Sequence, residues 1–313
     1  MKYFRILLCV VLLAMGLIGC AGKKVDKVSI TEQDMVRENL VVEGLTEEYD
    51  LLFLTDTHMV VSSTEDTEQI AANGAERGVQ FVDDKGVSSA LQFQAWMTYA
   101  GEQQVDAVLF GGDIIDYPSK GNLEHLQKNL NMLCVPYIYT PGNHDWTYPW
   151  EYMTQKAEEE YLPLLESMMQ GNTTIQRMDI GELTVMAVDN SSGQVNGEAL
   201  ETYKQILAEG RPTIVLVHVP FMTQSVLGKA KEVWSSPVVI GAGNYGGIYE
   251  NEESAAFVQM TTAENSPVVA VLAGHVHFYD KDYIEGEKKV LQLVGDAGFK
   301  RKGMMIHISG KAE

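Results

Sequence analysis

Short apolar runs recur along the chain, and each leads into a loop that carries Gly, Asp or His. These runs predict β-strands at residues 50–55, 106–110, 136–140, 183–188, 213–217 and 268–273, a closing pair near 289–294 and 303–308, and a candidate edge strand within 28–43. Apolar residues at helical spacing lie between them and predict helices at 88–103, 122–133, 150–169, 197–208 and 254–264. Strands that alternate with helices favour layered α/β architecture over an all-β sandwich.

Two segments of the chain are typical of insertions between these elements. Residues 60–86 are polar, acidic and glycine-containing, and residues 222–251 carry Gly241, Gly243, Gly246 and Gly247 together with Trp234, Tyr245 and Tyr249. Each segment follows a predicted strand whose end carries a histidine, His58 or His218. Because long loops beside such strand ends commonly carry function, we predict that both segments border a functional site.

The composition excludes several classes of protein. The 313 residues contain 23 Lys and Arg against 43 Asp and Glu, a formal net charge of −20. With 45% hydrophobic and 21% charged residues, the chain is typical of a globular protein rather than a disordered one. The acidic balance argues against a nucleic-acid partner, because the phosphate backbone is bound by clustered Lys and Arg. The three cysteines form no Cys-x-x-Cys pair, which excludes a disulfide scaffold and a thiolate zinc site.

The N-terminus has the pattern of an export signal. Lys2 and Arg5 precede 13 residues without charge, a run too short to span a bilayer, which needs about 20 residues. The run closes at residues 17–20, Leu-Ile-Gly-Cys, which resembles the lipobox of bacterial lipoproteins. We therefore expect a signal peptide at 1–19, a lipidated tether at 20–27 with the lipid on Cys20, and one domain at 28–313. The alternative is an ordinary signal peptide whose cysteine is incidental.

Five loops that follow apolar strands concentrate the residues able to carry chemistry. Five of the seven histidines lie in or next to them, and the loops read Asp56-Thr57-His58, Gly111-Gly112-Asp113-Ile114-Ile115-Asp116, Pro141-Gly142-Asn143-His144-Asp145, His218-Val219-Pro220 and Gly274-His275-Val276-His277. Each loop alone has an ordinary structural interpretation as a turn or a core histidine. Ligands of open α/β sheets gather at the carboxyl ends of strands, so the ordered set predicts one common site.

The residue types in these loops favour a pair of metal ions. In an extended segment, residues two apart point to the same side, so Asp56 and His58 can reach one centre, as can His275 and His277. Carboxylate and imidazole ligands without a thiolate suit divalent Mn, Fe or Zn. A central carboxylate can bridge two such ions about 3.5–4 Å apart, the spacing that enzymes use to clamp a displacement at phosphorus.

The ordered motifs Asp-x-His, Gly-Asp-x-x-Asp, Gly-Asn-His-Asp, His and Gly-His-x-His resemble those of the calcineurin-like metallophosphoesterases. The resemblance covers roughly residues 50–277 and makes residues 28–313 the candidate phosphoesterase domain. It implies a four-layer α/β/β/α sandwich with two mixed β-sheets and a dinuclear metal site at the carboxyl ends of the strands.

The resemblance also implies a role for each matched residue. It assigns seven metal ligands: Asp56, His58 and His277 at the first ion, Asp113 as the bridge, and Asn143, His218 and His275 at the second ion. It places His144 against the substrate as proton donor or phosphate contact, and it makes Asp116 the carboxylate that orients His144.

Three positions depart from particular branches of this superfamily. Tyr117 stands where the Ser/Thr protein phosphatases carry a phosphate-clamping arginine, and Asp145 stands where they carry glutamate. Asp116 occupies the position of the metal-binding tyrosine of the purple acid phosphatases. These departures disfavour protein dephosphorylation and a coloured iron–tyrosinate site. Nucleases of the superfamily remain open, although the acidic chain and the export signal count against them.

The sequence therefore predicts a phosphoester hydrolase that acts on small molecules. We expect a phosphomonoesterase or phosphodiesterase in which a metal-bound hydroxide attacks phosphorus. We expect the protein to be exported and anchored by lipid to the outer face of the cytoplasmic membrane, or to an outer membrane if one is present. The alternatives are a non-catalytic binding lipoprotein that keeps the fold, and a nucleotidase or cyclic-nucleotide phosphodiesterase specifically.

Overall fold

Two β-sheets contain the eleven strands of residues 28–310, the part of the chain that the computed structural model describes. In chain order the strands are β1 Met35–Val41, β2 Tyr49–Leu54, β3 Ala107–Phe110, β4 Tyr137–Tyr139, β5 Ile175–Ile180, β6 Leu183–Val188, β7 Thr213–Leu216, β8 Val268–Ala273, β9 Asp280–Ile284, β10 Val290–Val294 and β11 Gly303–Ser309. All eight predicted core strands are confirmed, and β1 confirms the candidate edge strand. The apolar pattern does not predict β5 or β9.

Both sheets mix parallel and antiparallel pairs. The first sheet has the order β1-β11-β2-β3-β4, with β2, β3 and β4 parallel and β11 antiparallel to β2. The second has the order β5-β6-β7-β8-β10-β9, with β6, β7, β8 and β10 parallel and an antiparallel strand at each edge. Parallel neighbours end at the same edge of their sheet, so the loops after β2, β3 and β4 are adjacent, as are those after β7 and β8.

Seven α-helices connect the strands of the described region. They are α1 Glu68–Gln80, α2 Ser89–Gln103, α3 Lys120–Met132, α4 Gln155–Tyr161, α5 Ala199–Leu207, α6 Gln224–Trp234 and α7 Glu252–Thr262. Helices α2, α3, α5 and α7 confirm four predictions to within two residues. The predicted helix at 150–169 is wrong in its extent, because α4 begins only at Gln155 and a 3-10 helix, Leu162–Met168, continues from it. Pro163 lies at the start of that 3-10 segment and has no N–H to donate into an α-helix.

The two predicted insertions contain helices. Helix α1 lies in the segment 60–86 and α6 in the segment 222–251. Each begins at a threonine whose hydroxyl accepts a hydrogen bond from the first turn: Thr67 from the N–H of Ile70, and Thr223 from the N–H of Val226. The apolar pattern predicts neither helix, because the first segment is polar and acidic and the second is rich in glycine.

Three apolar cores separate four layers. In β2, Leu51 and Phe53 face the second sheet, whereas Leu52 and Leu54 face the helices, as the alternation of a strand requires. The first sheet packs outward on α2 and α3, and the second packs outward on α5, α6 and α7. The four-layer α/β/β/α sandwich with two mixed sheets is therefore confirmed.

The predicted signal peptide, the tether and Cys20 lie outside the described residues. Within residues 28–310, no helix is long and apolar enough to cross a membrane.

Candidate metal centre

The loops at the strand ends leave the extended conformation at the residues that matter. Asp56 and His58 have φ angles of 52° and 42°, and His275 and His277 have φ angles of 70° and 59°. The premise that these pairs continue an extended strand is therefore wrong. Left-handed backbone costs a non-glycine residue roughly 1–3 kcal/mol and clusters at functional sites. Backbone hydrogen bonds stabilise the bend, including those from Asp56 N to Gly112 O (3.0 Å) and from His58 N to Asp113 O (2.9 Å).

Asp56, His58 and His277 form the first ligand group. Their nearest donor atoms all lie within 4.8 Å of one another. His277 Nε2 lies 3.3 Å from Asp56 Oδ1 and 3.1 Å from His58 Nε2. Two imidazole nitrogens and a carboxylate oxygen thus converge on one small volume, as the ligands of a divalent ion do.

Asp113, His218 and His275 form the second ligand group, again with donor atoms within 4.8 Å. His218 Nε2 lies 3.3 Å from Asp113 Oδ2 and 3.3 Å from His275 Nδ1. Asn143 lies beside this group, because its neighbour His144 donates its backbone N–H to Asp113 Oδ1 at 2.7 Å. The Oδ1 atom of Asn143 is buried without a hydrogen-bond partner. A buried oxygen in that state is costly unless a ligand satisfies it, and a cation would do so.

Asp113 joins the two groups. Its Oδ2 lies 3.3 Å from His218 Nε2 in the second group and 3.7 Å from His58 Nε2 in the first. One carboxylate oxygen therefore faces both groups, which is the arrangement expected of a bridging ligand.

Burial and the buried carboxylates of the centre shift the pKa values of its histidines. Asp56 and Asp113 are buried, with at most 1% of their surface exposed. Burial works to lower the pKa of His144 and of His218, but the neighbouring carboxylates together outweigh it and raise both to about 9: Asp113 and Asp116 act on His144, and Asp113 and Asp56 on His218. Burial and the neighbouring His218 lower the pKa of His275 to about 3. In the absence of a metal, His144 and His218 therefore hold protons whose positive charge stabilises the buried carboxylates. A divalent cation would supply that positive charge instead.

Hydrogen bonds to the ring and backbone of His218 fix the orientation of its imidazole. Its Nδ1 lies 2.8 Å from the carbonyl oxygen of Gly111 and donates a proton to it, so Nε2, which faces Asp113, is the nitrogen that would bind a metal ion. Asn190 Oδ1 accepts the backbone N–H groups of His218 and Val219, each at 2.9 Å. No motif in the sequence indicates Asn190, although it follows β6 in a polar loop of the same kind as the other five.

Glycine permits the loops to approach one another. A Cβ at Gly142 would overlap the backbone nitrogen and Oδ1 of Asp113. A Cβ at Gly274 would overlap the Oγ1 atom of Thr55 and lie 2.6 Å from Asp56 Oδ2. Any other residue at either position would displace a candidate metal-binding carboxylate.

Asp145 ties two of the loops together. Its carboxylate accepts four backbone N–H groups at 2.7–3.1 Å, those of Asp113, Ile114, Ile115 and Gly142. The Asp113 loop is thereby fixed against the loop that carries Asn143 and His144. In the sequence, Asp145 is notable only because it departs from the pattern of the Ser/Thr protein phosphatases. Its structural role is not predictable from a motif, because its partners are backbone atoms.

Asp116 links the centre to the polar insertion. Its Oδ1 lies 3.1 Å from His58 Nδ1 and 3.2 Å from His144 Nδ1. Arg77 of α1 donates to both oxygens, from Nε to Oδ2 and from Nη2 to Oδ1, each at 2.6 Å. Burial alone would raise the pKa of Asp116, but the hydrogen bonds from Arg77, His144 and His58 hold it well below its ordinary value. No motif in the sequence indicates Arg77 either, because it lies in the polar insertion and outside the five loops.

The structure brings all nine sequence-predicted residues into one site. They are Asp56, His58, Asp113, Asp116, Asn143, His144, His218, His275 and His277. They come from both sheets, which meet here through the loops after β2, β3, β4, β7 and β8.

Comparison with known families assigns the class of this protein. The family model of the calcineurin-like phosphoesterases matches residues 49–279, well over half of the chain, and the protein belongs to this family. The matched range contains all five candidate loops. The protein is thus a calcineurin-like phosphoesterase with clusters of largely buried His and Asp residues suited to a dimetal centre.

Solved structures show more distant similarity. A dimetal phosphatase from Danio rerio is 10% identical, with 80% of this chain and 88% of that chain covered and a TM-score of 0.47. A phosphopantetheinyl hydrolase from Mycobacterium tuberculosis is 13% identical, with 84% and 91% covered and a TM-score of 0.37. No curated protein sequence matches this chain. Since both TM-scores are below 0.5, these structures give no information on its substrate.

Proposed function

We propose that this protein hydrolyses phosphoesters of small molecules with two divalent metal ions, Mn, Fe or Zn. The observation that carries the proposal is the position of Asp113 Oδ2, which lies 3.3 Å from His218 Nε2 and 3.7 Å from His58 Nε2 and so faces both ligand groups. Carboxylate, imidazole and amide-oxygen donors without a thiolate match the proposed ions. Membership of the calcineurin-like phosphoesterases supports a phosphoester as the substrate.

Each residue of the centre has a place in the proposed reaction. The two ligand groups would hold the ions with Asp113 between them, and Asn143 would complete the second group. Such ions neutralise charge on phosphoryl oxygens and make water a better nucleophile at neutral pH. The remaining chemistry belongs to side chains of the protein, of which His144 is the best placed.

His144 is the proposed proton donor to the leaving oxygen. Its side chain is 27% exposed, whereas those of His58 and Asp116 are at most 1% exposed. Its Nδ1 faces Asp116, so Nε2 points away from that carboxylate and is free to meet a substrate. The same contact stabilises the protonated imidazole that a general acid requires.

A panel of substrates tests the proposed function. The purified full-length chain, loaded in turn with Mn, Fe, Zn, Co or Ni, is expected to hydrolyse p-nitrophenyl phosphate or bis-p-nitrophenyl phosphate. A chelator should abolish the activity, and added metal should restore it. Adding AMP and cyclic AMP to the panel separates the nucleotidase and cyclic-nucleotide alternatives. No hydrolysis of any ester with any metal would favour the non-catalytic binding lipoprotein.

We further propose that the protein is an exported lipoprotein anchored through Cys20 to the outer face of the cytoplasmic membrane, or to an outer membrane if one is present. The support is the order of basic residues, short apolar run and Leu-Ile-Gly-Cys at 17–20. In this arrangement 1–19 is removed, 20–27 is the tether and 28–313 is the catalytic domain.

Changing Cys20→Ser is expected to move the protein from the membrane fraction to the soluble fraction, or to leave the precursor unprocessed. The thioether bond to the lipid cannot form without the cysteine sulfur. Fractionation and mass determination of the mature protein measure both results. Cys9→Ser is the matched control, because Cys9 lies within the apolar run and should be removed with it. If Cys20→Ser is processed and fractionates like the wild type, the lipoprotein proposal is wrong.

A further inference from the structure

Arg77 reaches the metal centre from outside all five candidate loops. It lies near the end of α1, in the polar insertion between β2 and α2. Its guanidinium group forms a bidentate, fork-shaped ion pair with Asp116, from Nε to Oδ2 and from Nη2 to Oδ1, both at 2.6 Å. The Asp116 side chain is completely buried, and that of Arg77 is 20% exposed. A fork of this kind fixes the plane of a carboxylate as well as its position.

The carboxylate that Arg77 holds orients two histidines with different proposed roles. Asp116 Oδ1 lies 3.1 Å from Nδ1 of His58, a proposed metal ligand, and 3.2 Å from Nδ1 of His144, the proposed proton donor. Since Nδ1 of each ring faces Asp116, each ring presents Nε2 to the centre. One oxygen thus faces both histidines, and Arg77 donates to that same oxygen. His144 Nδ1 also lies 3.1 Å from the backbone carbonyl oxygen of Asp116, so the position of Asp116 bears on His144 through two atoms.

A second contact runs from Arg77 to His58 through an aromatic ring. The guanidinium carbon of Arg77 lies 4.8 Å from the centroid of the Phe81 ring. Phe81 in turn stacks on His58, with centroids 4.4 Å apart and planes inclined by only 4°. The insertion therefore supports His58 on its face through Phe81 and at its Nδ1 through Asp116.

Helix α1 is itself fixed to the body of the protein. Val61 N donates to Asn122 Oδ1 at 2.7 Å, and Lys120 pairs with Glu65 at 2.5 Å, so α3 anchors the segment that leads into α1. A Cβ at Gly74 would lie 3.0 Å from the hydroxyl of Tyr117, so α1 packs closely against Tyr117, the residue that follows Asp116. Arg77 is thus presented to Asp116 from a helix held in place at several points.

We propose that Arg77 is a positioning residue of this site, which holds Asp116 so that His58 keeps its place at the first metal and His144 keeps its place at the leaving oxygen. The part that concerns His144 rests on the proposed function. The part that concerns His58 rests on metal binding alone and is measured without any substrate.

Metal binding is the first readout, with Mn²⁺ as the probe in competition with a chelating dye. Arg77→Met keeps much of the side-chain length but removes the fork, and it is expected to weaken one of two Mn²⁺ sites by about 10–100-fold, the usual effect of losing a group that orients a metal ligand. Arg77→Lys keeps the charge without the fork and is expected to give an intermediate loss. It also provides a folded variant if Arg77→Met fails to fold.

Rates at saturating Mn²⁺ give the second readout, because the metal contribution is then removed. Arg77→Met should lower kcat by about 10–100-fold for an alkyl phosphoester, with less loss for the p-nitrophenyl ester, whose leaving oxygen hardly needs a proton. KM should change little. In an Asp116→Asn background, Arg77→Met should cause no further loss, because Arg77 acts through Asp116.

Arg177→Met is the matched control. Arg177 of β5 forms an equivalent fork with Glu209, at 2.5 and 2.7 Å, between an edge strand and the chain after α5. Its loss should leave Mn²⁺ affinity and kcat unchanged.

Three results would overturn the proposal. They are wild-type Mn²⁺ affinity and kcat in Arg77→Met, a loss confined to KM, which would make Arg77 a substrate contact, and full additivity with Asp116→Asn. Absence of hydrolysis in the wild type would instead refute the proposed function, while the Mn²⁺ measurement would still decide the role of Arg77 at His58.

Discussion

Asp113→Asn is expected to remove metal and activity together. Oδ2 of Asp113 faces both ligand groups, at 3.3 Å from His218 Nε2 and 3.7 Å from His58 Nε2. An amide is neutral and offers one oxygen, so it cannot compensate two divalent ions. The ions are worth several kcal/mol to the reaction, and we expect kcat/KM to fall by at least about 10³-fold. Metal analysis of the purified variant and rates on p-nitrophenyl phosphate measure both losses.

The control for this substitution is Asp84→Asn. Asp84 is exposed in the loop between α1 and α2, so the same chemical change should leave metal content and rate at wild-type values. Two full equivalents of metal in Asp113→Asn would show that Asp113 does not bridge. Full activity at reduced metal content would show that the second ion is not needed for hydrolysis.

His144→Gln is expected to separate proton transfer from metal binding. The backbone N–H of His144, not its side chain, donates to Asp113 Oδ1, so the variant should keep about two metals per chain. Glutamine fills similar space but has no proton to give at neutral pH. Loss of a general acid typically costs about 10²–10⁴-fold in rate, and we expect that loss for an alkyl phosphoester. The p-nitrophenyl ester should lose less.

Metal content and the ratio of the two rates decide the role of His144. His125→Gln serves as control, because His125 lies on α3, outside both ligand groups, and should leave both quantities unchanged. Equal losses on the two esters would mean that His144 contacts the phosphoryl group rather than the leaving oxygen. Missing metal in His144→Gln would make it a ligand.

The core strands are predictable from the sequence because burial on both faces requires an uninterrupted apolar run. All four residues of β3 are buried, and so are all six of β6. The edge strands β5 and β9 escape the same criterion. Arg177 and Asp179 of β5 and Lys281 of β9 face partly toward solvent, so no apolar run marks either strand.

The members of the candidate centre are predictable for a related reason. Parallel strands end at one edge, so polar residues directly after several apolar runs must lie near one another whatever the loops do. That rule requires only order along the chain, and it finds residues such as Asp56, Asp113 and His218. A separate expectation, that Asp56 and His58 reach one centre because they continue an extended strand, is wrong in its premise, since the backbone bends there.

The supporting contacts are decided only by the tertiary structure. Arg77 approaches Asp116 across 39 positions of sequence, and Asn190 holds the backbone of His218 across 28. Asp145 accepts backbone N–H groups from a loop about thirty positions away. No local pattern encodes such pairs. The contact of Arg77 depends on how the inserted helix packs, and those of Asn190 and Asp145 depend on how the loops at the strand ends pack together. The order of strands and loops in the sequence determines which residues form the candidate centre. The packing of the chain determines which other residues hold them in position.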